Sequence, residues 1–176
     1  MKFIKAFLAS VALIVAASSA NAATATYTGL GSVYANDIGT VDIGLNAYTA
    51  VVNPVGDFTH SFIFALPELS DVSTTLNNIV VQFPGFDVFN ITDVTYSIID
   101  ASNVVLGSSV AGTPFSVNGL AAGEYTFKVV GTTIGAAGGN YGFAINVTPV
   151  PEPSSVAMLL IGFAALGAVA RRRKTL

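Results

Sequence analysis

The sequence predicts an all-β fold, a jelly-roll-like β-sandwich of about eight strands flanked by two apolar terminal segments. Three observations lead there. Between Ala23 and Pro149, Thr, Val, Ile, Phe and Tyr recur in short alternating runs, the pattern of strands with one buried face. Gly, Asn, Asp and Pro interrupt those runs roughly every ten residues, the spacing of turns in a sandwich. Helical periodicity is nearly missing, and because each strand has one apolar face, two antiparallel sheets packed face to face are the natural solution.

Taken in order, residues 1–22 have the three parts of a secretory signal peptide. Lys2 and Lys5 form a basic start, Ala6 to Ala17 an apolar run, and Ala20-Asn21-Ala22 a small-x-small site for signal peptidase. The mature chain is then expected to begin at Ala23, after passage through the Sec translocon, and the β-domain to occupy 23–149. Val41, Ile43 and Leu45 alternate with polar or small neighbours, as do Phe58, Ser61 to Phe64, and Tyr96 to Ile98. The one stretch open to a helix, Leu66 to Leu76, contains Pro67 and Ser70-Asp71, so a turn or short helical corner is expected. Asp100-Ala101-Ser102-Asn103 reads as a hairpin turn. The clearest strands come last. Tyr125, Phe127 and Val129 share one face, and after the loop Gly135 to Gly139 so do Tyr141, Phe143, Ile145 and Val147.

Charge narrows the function classes. The lysines and arginines sit at the two ends, leaving Lys128 alone between them, so nine acids against one lysine give 23–150 a charge of −8 where the whole chain carries −3. Such a surface repels phosphate backbones, and no nucleic-acid partner is expected. The chain has no cysteine, which excludes disulfides and thiol chemistry and leaves the domain to be held by its core.

Residues for catalysis are few. His60 is the only histidine, in Asp57-Phe58-Thr59-His60-Ser61-Phe62, and neighbouring strand residues face opposite sides, so His60 and Ser61 should diverge rather than form a Ser/His/Asp site. His60 is expected to face solvent. Glu68 with Asp71 and Asp87 with Asp93 are candidate carboxylate pairs that nothing in the spacing brings together, and Asp37 and Asp42 offer oxygen ligands for Ca²⁺ without the spacing of a calcium loop. No catalytic residue, enzyme activity or cofactor is therefore expected. The aromatic residues fall at core-facing positions, and a sugar-stacking face is the lesser reading.

The C-terminus carries the most specific signal. Val150-Pro151-Glu152-Pro153-Ser154 is kept out of helix and sheet by two prolines. A transmembrane helix is expected over 155–170, and the 17 uncharged residues from Ser154 to Ala170 would extend about 25 Å as a helix. The basic tail 171–176, led by Arg171, Arg172, Arg173 and Lys174, would stay cytoplasmic and stop transfer.

This order of V-P-E-P-S, apolar segment and R-R-R-K resembles the PEP-CTERM sorting signal of Gram-negative bacteria over 150–176. The resemblance implies recognition by exosortase in the inner membrane, cleavage near Pro151, Glu152 and Pro153, and a destination at the cell surface or in an exopolysaccharide or biofilm matrix. A carbohydrate-binding module for that exopolysaccharide is the alternative function, and a secreted hydrolase the third. Phe58-Thr59-His60-Ser61-Phe62, with Leu120 to Tyr125 and Gly139-Asn140-Tyr141, is also similar to the Phe-x-Asp-x-Phe subgroup of these proteins, with His60 standing where that motif has Asp.

Overall fold

A computed structural model describes residues 24–53, 56–151, 158 and 160–163. Among the described residues twelve strands run in chain order: β1 (Thr24–Leu30), β2 (Val33–Thr40), β3 (Gly44–Val52), β4 (Gly56–Leu66), β5 (Ser70–Ile79), β6 (Val81–Phe83), β7 (Phe86–Phe89), β8 (Ile91–Asp100), β9 (Val105–Val110), β10 (Phe115–Leu120), β11 (Gly123–Thr133) and β12 (Gly139–Pro149). They form two five-stranded sheets, ordered β1-β3-β12-β5-β10 and β2-β4-β11-β8-β9, with β6 and β7 as a separate ribbon. Setting β1 and β2 aside, the remaining four strands of each sheet pair only antiparallel, and together they make the eight-stranded jelly roll. The sheets are nonetheless mixed, because β1 joins β3 and β2 joins β4 in parallel.

Aromatic side chains fill the space between the sheets. Phe143 on β12 stacks on Phe127 of β11 at 4.6 Å and meets Phe62 of β4 at 4.7 Å, both from the opposite sheet. Tyr48 on β3 covers its other side at 4.9 Å. The faces foreseen for β11 and β12 are the faces observed, with Phe127, Val129, Tyr141, Phe143, Ile145 and Val147 all buried. The turn at Asp100 is also as expected: its Oδ1 accepts hydrogen bonds from the Ser102 and Val104 amides, and Asn103 takes a φ of 63°.

Three expectations need correction, and a fourth falls largely outside the described residues. Residues 66–76 hold no helical corner; β4 ends at Leu66, a short turn follows, and β5 begins at Ser70 with Ser70, Val72, Thr74 and Leu76 pointing inward. Period-two burial there outweighed the helix reading. In β3 the buried set is Asn46, Tyr48, Ala50 and Val52, so Ile43 and Leu45, at 43% and 51% exposure, face out although Val41 is buried. The chain changes parity at Gly44, whose φ of 101° is open to glycine. His60 does not face solvent, since Phe58, His60, Phe62, Phe64 and Leu66 form the buried row of β4. Finally, among the described residues no helix is long and apolar enough to cross a membrane. Of the helix expected over 155–170, Met158 and 160–163 are described, and they are helical and exposed; the remainder, and the signal peptide 1–22, lie outside the described residues.

Phe143 contacts both sheets, so its truncation leaves a cavity that neither sheet can close alone. Phe143→Ala is expected to lower the unfolding free energy by about 3–5 kcal/mol in urea denaturation, against less than about 0.5 kcal/mol for Glu124→Ala on the solvent side of β11.

Candidate functional site

The sorting segment leaves the domain from the end of its most enclosed strand. β12 is the middle strand of its sheet, paired with β3 from Gly139↔Val52 to Val147↔Gly44 and with β5 from Asn140↔Ile79 to Pro149↔Ser70. One more backbone bond extends the ladder, from the Val150 amide to the Leu69 carbonyl at 3.0 Å. Pro151 then stands exposed, without an N–H to continue it. Val150 and Pro151 therefore stand at the end of the β12 ladder, while Glu152, Pro153, Arg171, Arg172, Arg173, Lys174, Ala20 and Ala22 lie outside the described residues.

The second polar constellation is internal. His60 is fully buried, with Nδ1 2.8 Å from the Tyr141 hydroxyl and Nε2 2.9 Å from the Gly31 carbonyl. A carbonyl only accepts, so Nε2 carries the proton and donates, and Nδ1 accepts from the tyrosine O–H. Both ring nitrogens are satisfied by a neutral imidazole. Burial holds its pKa below the ordinary histidine value, with the Gly31 hydrogen bond opposing, and burial likewise pushes the Tyr141 phenol far up. Phe58 at 4.7 Å and Tyr34 at 5.9 Å enclose the ring.

The other sequence candidates are not brought to this histidine. Asp57 is exposed on the outer face and accepts a 2.7 Å hydrogen bond from Thr132 Oγ1, and Ser61 lies on that same outward face of β4. Asp37 Oδ1 accepts from the Gly39 amide, and the Asp42 backbone is tied to the Asn46 side chain. Among the described residues no group of three or more His, Asp or Glu could hold a metal ion. Asp71 accepts from the Gly119 amide, and Asp87 from Gln82 and Asn90. A cleft of about 440 Å³ is lined instead by Asp57 and Asp93, a pairing that strand order creates and linear spacing does not suggest.

Residues 149–174 match the family model for the PEP-CTERM protein-sorting motif. This is a PEP-CTERM domain-containing protein. Its motif begins where the β12 ladder ends, and it makes the PEP-CTERM protein an exported chain whose processing partner is exosortase. No curated protein matches the PEP-CTERM chain. Among solved structures, it is similar to PliG, a periplasmic inhibitor of g-type lysozyme, from Aeromonas hydrophila, at 9% identity and a TM-score of 0.42 over 72% of this chain and 100% of that one. Salmonella Typhimurium PliG aligns at 12% identity and a TM-score of 0.38 over 64% and 97%. The pre-peptidase C-terminal domain of Bacillus anthracis collagenase aligns at 14% identity and a TM-score of 0.38 over 64% and 94%.

The His60 geometry sets a pH dependence for the PEP-CTERM protein. Its folded pKa is depressed, so its contribution to stability is complete above the unfolded value of about 6.5 and declines as pH falls below it, where the unfolded chain takes up a proton the folded one refuses. Urea midpoints should fall between pH 7.5 and 5.5, and His60→Gln should flatten that segment of the profile. Tyr141→Phe, which leaves Nδ1 without its donor, is expected to cost about 1–3 kcal/mol at pH 7.5 by the same measurement.

Proposed function

We propose that this protein is a non-enzymatic exported domain that exosortase releases from a membrane-held precursor and that works at the cell surface or in the exopolysaccharide matrix. The observation that carries the reading is the junction at Val150. Among the described residues, backbone pairing ends there, and Pro151, the first residue of the Pro151-Glu152-Pro153 handle, is exposed beyond it. A protease needs a segment free of its own ladder, and a proline immediately after the last hydrogen bond has no N–H with which to extend that ladder. A cut near Pro151 to Pro153 leaves every strand of the domain intact.

Charge supports the same sequence of events. All the precursor's lysines and arginines but Lys128 lie at its two ends, in the signal peptide and in Arg171 to Lys174. Removing both leaves the −8 domain, a charge that favours solubility outside the cell. The non-enzymatic part of the reading rests on the single histidine being sealed between the sheets as a neutral ring, with both nitrogens committed.

Intact-mass spectrometry of the exported protein tests the processing. A chain beginning at Ala23 and ending within Pro151 to Pro153 is expected, and material that retains Arg171 to Leu176 outside the cell contradicts it. Deleting 171–176 should reduce the exported, cleaved form, because the stop-transfer charges that present the handle to exosortase are gone. Saturable binding of the mature protein to purified exopolysaccharide would move the matrix role from residence to recognition.

A further inference from the structure

Among the described residues, both sheets end in strands with one unpaired backbone edge. In one sheet these are β1 and β10, and in the other β2 and β9. The four lie on two flanks of the sandwich. β1 and β2 share a flank, joined through Gly31 and Ser32 and by the ring pair Tyr27–Tyr34 at 6.3 Å. β9 and β10 share the other, where the Phe115 ring lies over Gly107.

Free edges are usually protected by charge or proline, since an unpaired strand is a template for another chain. Here that protection is nearly missing. Of the nine acids and one lysine between Ala23 and Val150, Asp37 alone lies in an edge strand; the others sit on inner strands, the ribbon or loops. β1, β9 and β10 contain no charge and no proline. The core is also incompletely covered along these flanks. Ala25, Tyr27, Tyr34, Ile38, Leu106, Phe115 and Val117 pack on the core yet remain half-buried, and all seven belong to edge strands.

The strand directions make the two flanks complementary. Following the pairings across each sheet, β10 runs opposite to β1, and β9 opposite to β2. When a second copy is set beside the first in the same orientation, its β1 and β2 meet β10 and β9 as antiparallel neighbours in both sheets at once. The lengths agree, with seven and eight residues on one flank against six and six on the other.

We propose that the exported domain polymerises with copies of itself by double strand addition, β10 and β9 of one copy pairing with β1 and β2 of the next. The contact joins two different surfaces, so it does not close on a dimer and propagates as a chain. Each junction covers the half-buried side chains of both flanks. Because every copy is acidic, like-charge repulsion opposes growth, and salt toward about 0.15 M relieves it.

Sedimentation of the exported protein over a concentration series tests this. A weight-average mass that climbs without a plateau, more steeply as salt is raised, is expected; a monomer at every concentration, or a limiting dimer, overturns the proposal. Lysines at outward positions of the two flanks separate the surfaces. Ser108→Lys with Ser116→Lys blocks one flank, and Thr26→Lys with Ala35→Lys blocks the other, all four residues being exposed. Each double variant alone should lose growth and sediment as a monomer. Mixed together they should form one-to-one dimers, since each retains the flank that the other has lost, an outcome that unfolded variants could not produce. A mixture that stays monomeric overturns the proposal, as does growth of either variant alone.

Discussion

The contact on which this structure depends is the aromatic packing between the two sheets, centred on Phe143. A domain without cysteine has no covalent tie, so its sheets are held by what their inner faces bury. Phe143 serves because β12 is hydrogen-bonded on both sides and places it at the middle of one sheet, where Phe62 and Phe127 of the other sheet reach it together. The alternation of β4, β11 and β12 follows from that contact. A one-residue slip in any of them would turn its aromatic row to solvent.

Polar groups within the core are tolerated where geometry satisfies them. His60 occupies the inward row of β4 because Tyr141 donates to it and Gly31 accepts from it, which also ties the β1–β2 connection to the jelly roll. Asn46 does comparable work at the start of β3, donating to the carbonyls of Asp42, Gly44 and Ile145. A histidine held in one tautomer by two partners and enclosed by Phe58, Tyr34 and Tyr141 is a packing residue, and its position in the Phe-x-x-x-Phe row explains why it is buried.

The same strand order sets where the protein meets its surroundings. It brings the end of β12 to the turn after β4, so that the sorting segment departs beside Leu69 from a strand that cannot fray easily on either side. It also sends four nearly uncharged strands to the flanks while every acid of the domain but Asp37 stays on the inner strands, the ribbon or the loops. Processing and self-association thus use different parts of the fold.

Read alone, the chain was sufficient for what depends on local pattern. The all-β class, the hairpin at Asp100, the inward faces of Tyr125 to Val129 and Tyr141 to Val147, and the sorting motif all repeat or cluster within a few residues, and side-chain alternation or proline stiffness acts at that range. The buried place of His60 was also within reach, since it shares parity with Phe58, Phe62 and Phe64. Residues 66–76 and the start of β3 misled because Pro67 and Gly44 interrupt the pattern, and only pairing with β10, β12 and β1 settles which side faces inward. Nothing local records that β1 and β2 add in parallel, that Tyr141 lies against a histidine 81 positions earlier, or that Asp57 and Asp93 share a cleft. Those relations arise when strands distant in sequence become neighbours, so tertiary structure alone decided them.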